Sequence, residues 1–362
     1  MATVEATLMD GSAGATLPVV RLAALQDGMR AECFGLLVRK SRGKTKRDEP
    51  FVKCYFRDRE VTLESPVWAN HRFHRQANDW AEGLAYRLEV DVRVEPRYGV
   101  QLDILNIRVA SEALDAVDGY DFSTLVEGTD RPPAELMGKL LDCIRRYVTD
   151  PRLLQLVLGM LDEHRELFSK LQAAKGMHHS MTGGLLEHVW SLTRISGFLA
   201  EHYEKYYFRL DPPLDKGVIV AAAVLHDIGK LRELEYHPAE ARYTTQGSLI
   251  GHVLLGRDMV REAASRIDGF PAETLLLLEH AILAHHGRRE FGAPVEPQTV
   301  EALILAFADD LDAKVNAAAR ARMTATGDEA FTDKVYALNR RIYRSMPALP
   351  PAGDPGAADE LA

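Results

Sequence analysis

Three apolar stretches of this chain run straight into ionisable residues of the types that hold metal ions. Residues 217–225 read GVIVAAAVL and are followed at once by His226 and Asp227, then Ile228, Gly229 and Lys230. Residues 275–284 are mostly apolar and lead into His285, His286 and Gly287. Residues 300–308 spread Leu303, Ile304, Leu305 and Phe307 around a helix circumference before Asp309, Asp310 and Asp312. A helix that is apolar all round is a buried one, so these side chains lose their water. A desolvated carboxylate costs several kcal/mol unless it is paired or ligates a cation. Glu187 and His188 similarly end the small-residue run Thr182, Gly183, Gly184, and His252 follows Gly251. Taken singly, each histidine is more ordinary as a core residue bonded to a carbonyl. Two His/Asp or His/His pairs at buried helix ends point instead to a mixed nitrogen and oxygen site, which suits Mn, Fe, Co, Ni or Zn better than Ca. Gly229 and Gly287 then suit helix C-terminal caps.

The elements that carry these residues read as helices. Apolar periodicity of 3.6 predicts helices at about 134–148, 151–171, 184–205, 216–227, 247–266, 272–286, 298–321 and 328–345, with Asp150 and Pro151 as a cap and first residue. Ten of the thirteen histidines fall within residues 178–286 of this half. The chain before it alternates with period two. Leu88, Val90, Val92 and Val94 alternate with Glu89, Asp91, Arg93 and Glu95, and Val52, Cys54 and Phe56 alternate with Lys53, Tyr55 and Arg57. Five short strands fit into residues 18–110, which predicts a small five-stranded β-barrel of the OB type. A connector is expected over 111–133, an all-helical domain over 134–345, and a disordered tail over 346–362.

With 362 residues, 46% hydrophobic and 27% charged, the chain has room for two packed domains and is neither collagen, coiled coil nor wholesale disorder. No apolar run approaches the roughly 20 residues that span a bilayer. No signal segment is visible, and the three cysteines are scattered, which predicts a cytoplasmic protein without disulfides. Walker, GxGxxG and GxSxG motifs are absent. The net charge of −9 hides an asymmetry: residues 1–110 hold 17 basic against 15 acidic residues, and the remainder 27 against 38. Residues 39–59 hold nine basic and three acidic residues, a local excess that suits a polyanion. Lys44, Lys46, Arg47, Lys53 and Arg57, with Tyr55, Phe56, Phe73 and Tyr98 as stacking candidates, predict a surface for single-stranded nucleic acid.

The ordered set His188, His226-Asp227, Asp309 is similar to the H…HD…D signature of the HD-domain metal-dependent phosphohydrolases, and residues 226–230 resemble its HDxGK form. Four lines go further: KGMHHSMTGGLLEH (175–188), YTTQGSLIGH (243–252), LAHHGRREFGAPV (283–295) and ADDLDAK (308–314) resemble the YhaM-type 3′-5′ exoribonucleases, which join an OB-fold to an HD domain. The resemblance implies that His188, His226, Asp227 and Asp309 hold one divalent ion, Mn²⁺ above Fe²⁺, Co²⁺, Ni²⁺ or Zn²⁺. It implies a second ion shared by Asp227 with His252, His285 and His286. Lys230 and Arg288 would neutralise phosphate oxygens, Asp312 would support a ligand, and His178 and His179 could meet substrate. His202, His237 and His280 read as structural. Relatives that cleave cyclic dinucleotides carry Gly-Tyr-Pro after the paired histidines, where this chain has GRREFGAP. The expected function is hydrolysis of single-stranded RNA from its 3′ end, with homo-oligomers possible. The alternatives are a phosphohydrolase of small nucleotides or cyclic dinucleotides, and a nucleic-acid-binding protein with an inactive HD scaffold.

Overall fold

The computed structural model describes residues 17–344 apart from 46, 97, 127, 130, 174–181, 238–241 and 326–328. Lys46, His178, His179 and the tail therefore lie outside the described residues. The chain divides into two compact units, Met1–Glu127 and Gly128–Ala362.

Period-two alternation does build the first unit. Its strands are β1 (Arg30–Lys44), β2 (Pro50–Arg57), β3 (Thr62–Trp68), β4 (Ala85–Glu95) and β5 (Gly99–Val109). They pair in the order β1-β2-β3-β5-β4, and β4 closes back on β1. This is the five-stranded Greek-key barrel of the OB type. Val52, Cys54, Phe56, Leu88, Val90, Leu102 and Ile104 fill the interior, and burial pushes the Cys33 and Cys54 thiols up to about 12. The basic run is strand rather than loop, because β1 continues to Lys44 and pairs with β2 as far as Pro50.

The connector expected over 111–133 is folded onto the barrel through Val126. Phe34, Leu36, Ala85, Leu125 and Val126 form one apolar cluster, and the fully buried Asp115 is gripped by Arg108 and by Arg87 at 2.9 Å. The Arg108 hydrogen bond, against the cost of burial, holds the Asp115 carboxyl well below the usual carboxylate range. A depressed carboxyl contributes stability above its unfolded pKa, roughly 3.9, and loses it as pH falls towards the folded value. Wild type is therefore expected to exceed Asp115→Asn in barrel stability at pH 6 and to converge on it below about pH 4. Urea midpoints read from Trp80 fluorescence, with Trp68 and Trp190 replaced by phenylalanine, test this. A gap that persists undiminished at low pH would contradict it.

The second unit is helical: α1 (Pro133–Tyr147), α2 (Pro151–Glu163), α3 (Arg165–Lys170), α4 (Gly184–Tyr206), α5 (Lys216–Leu225), α6 (Lys230–Glu233), α7 (Thr245–Ile250), α8 (His252–Ser265), α9 (Ala272–Ala284) and α10 (Val300–Thr324). Asp150, Asp215 and Thr299 cap α2, α5 and α10 by accepting backbone N–H bonds. From Val218 to Leu225 every residue of α5 is fully buried, so the bundle wraps a helix without a wet face. A two-residue ladder, Leu234–Glu235 with Arg242–Tyr243, follows α6.

Three helices differ from the periodicity. The run 151–171 breaks at His164, and 247–266 breaks at Gly251, whose φ of 82° no helix continues through. Residues 329–344 reverse instead of coiling. Phe331 bridges Tyr343 and Val335 bridges Arg340, because Asn339 takes a left-handed φ of 52°. The spacing of Phe331, Val335, Leu338 and Ile342 fits either form.

Candidate metal centre and strand-binding surface

Helix ends deliver the cluster. His226 is the C-cap of α5 and His285 that of α9, while His252 opens α8 and His188 sits in the first turns of α4. Each ring engages an acceptor outside the cluster through Nδ1–H: His188 donates to Asp312 Oδ2 at 2.8 Å, His226 to the Ala223 carbonyl at 2.9 Å, His252 to Glu233 Oε1 at 3.0 Å, and His285 to the Ile282 carbonyl at 2.7 Å. Such acceptors fix ring and tautomer and turn Nε2 inward.

Inside, the Nε2 atoms converge on two carboxylates. Asp227 Oδ2 lies 3.2 Å from His226 Nε2, and Asp227 Oδ1 lies 3.4 Å from His252 Nε2 and 3.9 Å from His285 Nε2. Asp309 Oδ1 stands 3.2 Å from His188 Nε2. Asp309 and Asp312 are three residues apart on α10 and so share the face towards His188. Asp310 is outside these contacts: it borders the cavity that opens onto the cluster and pairs with Lys314 at 2.7 Å.

The donor set fits divalent cations. Three interlocking groups, His188 with His226 and Asp227, His252 with His285 and His286, and His226 with His285 and Asp309, each keep their ligand atoms within 4.8 Å of one another. Among the described residues, Asp227 Oδ1, His252 Nε2 and His286 Nδ1 are buried without a hydrogen-bond partner. Buried polar atoms left without partners beside such groups are what a bound ion satisfies.

Charge states follow the geometry. Burial would keep His188 neutral, but hydrogen bonds to Asp309 and Asp312 outweigh it and raise the ring to about 10. A cation bound beside His188 would displace that proton, so metal uptake would release it. Burial holds His285 well on the neutral side and lowers His286 as well, which leaves both as ligands. Asp227 stays ionised despite its burial because Lys230 and His226 stand beside it.

A cavity of about 350 Å³ opens onto the cluster, lined by Asp227, Lys230, His285, His286 and Asp309 and, at its mouth, by Phe291 and Lys314. The Lys230 ammonium donates to Asp227 Oδ2 at 2.6 Å. Arg288 is not part of it. Gly287, at φ 75°, turns the chain outward, and the Arg288 guanidinium pairs with Glu290 at 3.2 Å on the surface.

Two glycines hold the His252–Glu233 pair. Gly229 has φ −64° and so is not a left-handed cap. A Cβ there would lie 1.9 Å from the His252 carbonyl oxygen, so α8 rests on bare backbone. At Gly247 a Cβ would lie 2.2 Å from the Glu233 carbonyl oxygen. Sequence reasoning missed Glu233, which accepts from both the ring and the backbone N–H of His252. Glu233→Ala is expected to weaken metal affinity by about 10- to 100-fold, measured by titrating metal into chelator-treated protein. Unchanged affinity would make Glu233 merely structural.

On the barrel, a groove of about 480 Å³ runs over β2, β3 and the β4–β5 turn, lined by Phe51, Lys53, Pro66, Trp68 and Tyr98 among others. Strands two and three with their flanking turns are the oligonucleotide face of OB barrels. Phe51 lies across Gly43, where a Cβ would meet its ring at 2.4 Å, and tilts against Trp68 at 5.3 Å. Trp68 (44% exposed) and Tyr98 (57%) present open ring area. Trp68 was legible as the next outward position after Glu64 and Pro66, and was missed.

The expected cations are mostly engaged. Lys40 donates to the Asn78 carbonyl at 2.7 Å, Lys44 pairs with Asp48 at 2.8 Å, Lys53 with Glu64 at 2.8 Å, and Arg39 stacks 4.1 Å above Tyr55. Arg47 is exposed at the hairpin tip, and Arg57 stands on the outward face of β2. Phe56 is core, and Phe73 packs half-buried against it.

Residues 185–314 match the family model described as the HD domain. Among solved structures, the chain is similar to a domain of replication protein A from Methanococcus maripaludis (10% identity, TM-score 0.21, 26% of this chain and 96% of that one). It is also similar to the second OB-fold domain of replication protein A from that organism (12%, 0.21, 26% and 95%) and to Entamoeba histolytica asparaginyl-tRNA synthetase (6%, 0.23, 42% and 36%). No helix among the described residues is long and apolar enough to cross a membrane.

Proposed function

We propose that the HD domain of this chain is a metal-dependent phosphodiesterase that removes nucleotides from the 3′ end of single-stranded RNA, and that the barrel holds the strand. The observation that carries the hydrolytic reading is the set of buried His and Asp groups whose ligand atoms lie within 4.8 Å of one another, with Asp227 Oδ1 and His252 Nε2 orphaned 3.4 Å apart, beside a cavity. The barrel and its aromatic shelf support a polymer as substrate. Polarity and the preference for RNA rest on the resemblance of residues 175–188, 243–252, 283–295 and 308–314 to the YhaM type.

His188, His226, Asp227 and Asp309 would hold one ion, and Asp227, His252, His285 and His286 a second. Two divalent ions so held supply an activated water and charge neutralisation at phosphorus. The chain does the rest. Asp312, Glu233 and the Ala223 and Ile282 carbonyls fix the four rings, so no ligand need reorient on binding. Lys230, whose ammonium lines the cavity, supplies positive charge to a non-bridging phosphate oxygen. About 350 Å³ lies at the small end of ligand cavities, roughly 300–1,000 Å³, which suits one nucleotide at a time.

The test is incubation of 5′-labelled and 3′-labelled RNA with chelator-treated protein, then with Mn²⁺. A ladder shrinking from the 3′ end only after metal addition is expected. Trp68→Ala is expected to weaken RNA affinity by about 5- to 150-fold through lost stacking. Hydrolysis of free nucleotides but not of RNA would move the site to small substrates, and no metal uptake would leave the domain a scaffold.

A further inference from the structure

We infer that the helical unit carries its own binding groove for single-stranded nucleic acid, between α1 and α4 on the side of α4 away from His188. Trp190 lies two residues beyond His188, about 200° around the helix. Trp190, Arg194 and Phe198 follow at intervals of four and share one stripe of α4. Lys139, Cys143, Arg146 and Tyr147 line the facing side of α1, and together with Arg131 these residues bound a trough of about 540 Å³. A second hollow of about 410 Å³ continues it past Arg146 to Lys216.

The trough is constructed rather than incidental. Tyr147 is seated on Gly197, where a Cβ would meet its ring at 2.7 Å, and Glu201 holds the neighbouring Arg146 at 2.9 Å. Three cations gather at one indole: Arg131 at 5.3 Å, Lys139 at 5.8 Å and Arg194 at 5.9 Å from the Trp190 ring. Arg131 and Arg194 are exposed and have no carboxylate partner among the described residues. Phe198 projects beside them, 67% exposed.

These features stand against an acidic background, since residues 111–362 hold 38 acidic and 27 basic residues. Two exposed guanidiniums beside the exposed Phe198 ring match phosphates beside a base. A polyanion without bases would need the cations but leave Phe198 unused. Within the trough Lys139 pairs with Glu135 at 2.5 Å and Arg146 with Glu201, which leaves Arg131 and Arg194 to meet phosphate.

The experiment measures binding alone and does not depend on hydrolysis. Full-length protein in chelator is titrated with fluorescein-labelled oligouridylate, and heparin serves as a base-free polyanion. Phe198→Ala is expected to lower oligouridylate affinity about 5- to 20-fold with heparin affinity unchanged. Arg131→Ser with Arg194→Ser is expected to lower it about tenfold and to flatten the salt dependence by about 1.4 in log–log slope. Circular dichroism of these exposed-residue variants checks that the fold is kept. Unchanged oligouridylate affinity in both variants overturns the inference. A loss confined to the arginine variant and shared equally with heparin also overturns it, and assigns the trough to an acidic protein partner.

Discussion

Asp227→Asn is expected to lower RNA hydrolysis by on the order of 10³-fold or more while leaving strand affinity nearly unchanged. Asp227 touches both halves of the cluster, with Oδ2 towards His226 and Lys230 and Oδ1 towards His252 and His285. Asparagine keeps the volume but removes the charge and one acceptor, so neither ion is held as before. Lewis-acid stabilisation is worth several kcal/mol, and each 1.36 kcal/mol is tenfold in rate. Since the proposed strand-binding surface lies on the barrel, the loss should appear in turnover and in bound metal measured by elemental analysis. Asp310→Asn makes the contrast, because that neighbour pairs with Lys314 and is expected to keep most of the activity. Full turnover in Asp227→Asn would place the chemistry at another site.

A single methyl group at Gly229 is expected to do nearly as much harm by a different route. With the added carbon 1.9 Å from the His252 carbonyl oxygen and 2.5 Å from the Gly256 nitrogen, α8 must retreat or the α5–α6 turn must bend. Overpacking of this kind costs about 1–3 kcal/mol. Both neighbours are backbone and cannot step aside. His252 moves with its helix, and a displacement near 1 Å can cost about 100-fold in rate. Gly229→Ala should therefore lower the thermal midpoint and, in the fraction that stays folded, weaken metal binding. A variant with wild-type midpoint and activity would show that the turn has slack.

Much of this arrangement was legible before any coordinates. His226 and Asp227 announce themselves because eight buried residues precede them, and only a strong interaction offsets that placement. The helical stripe of Ala302, Leu305 and Ala306 and the DxLDA resemblance favoured Asp309 over Asp310 without separating the two. The barrel followed from period two, since a strand with one wet face writes its register into the sequence. What escaped depends on tertiary contact. Glu233 sits in an ordinary KLRE stretch, and nothing local marks it as the partner of His252, nineteen residues away. Gly229 looked like a helix stop because close backbone approach and left-handed caps both demand glycine. The basic run promised a charged surface, but Asp48, Glu64 and the Asn78 carbonyl, which occupy its lysines, belong to other segments or to the turn. Residues 329–344 carry a pattern compatible with either coil or reversal, and Asn339 settles it.

The short ladder after α6 closes off the segment between its strands, whose Tyr236 packs on the helical core. Its two ends are stapled together by Leu234 pairing with Tyr243, by Thr244 N–H donating to the Glu233 carbonyl at 2.9 Å, and by the Thr244 hydroxyl donating to the Arg232 carbonyl at 2.8 Å. These pairings fix the chain on both sides of Glu233, so the partner of His252 is positioned by backbone hydrogen bonds as well as by packing.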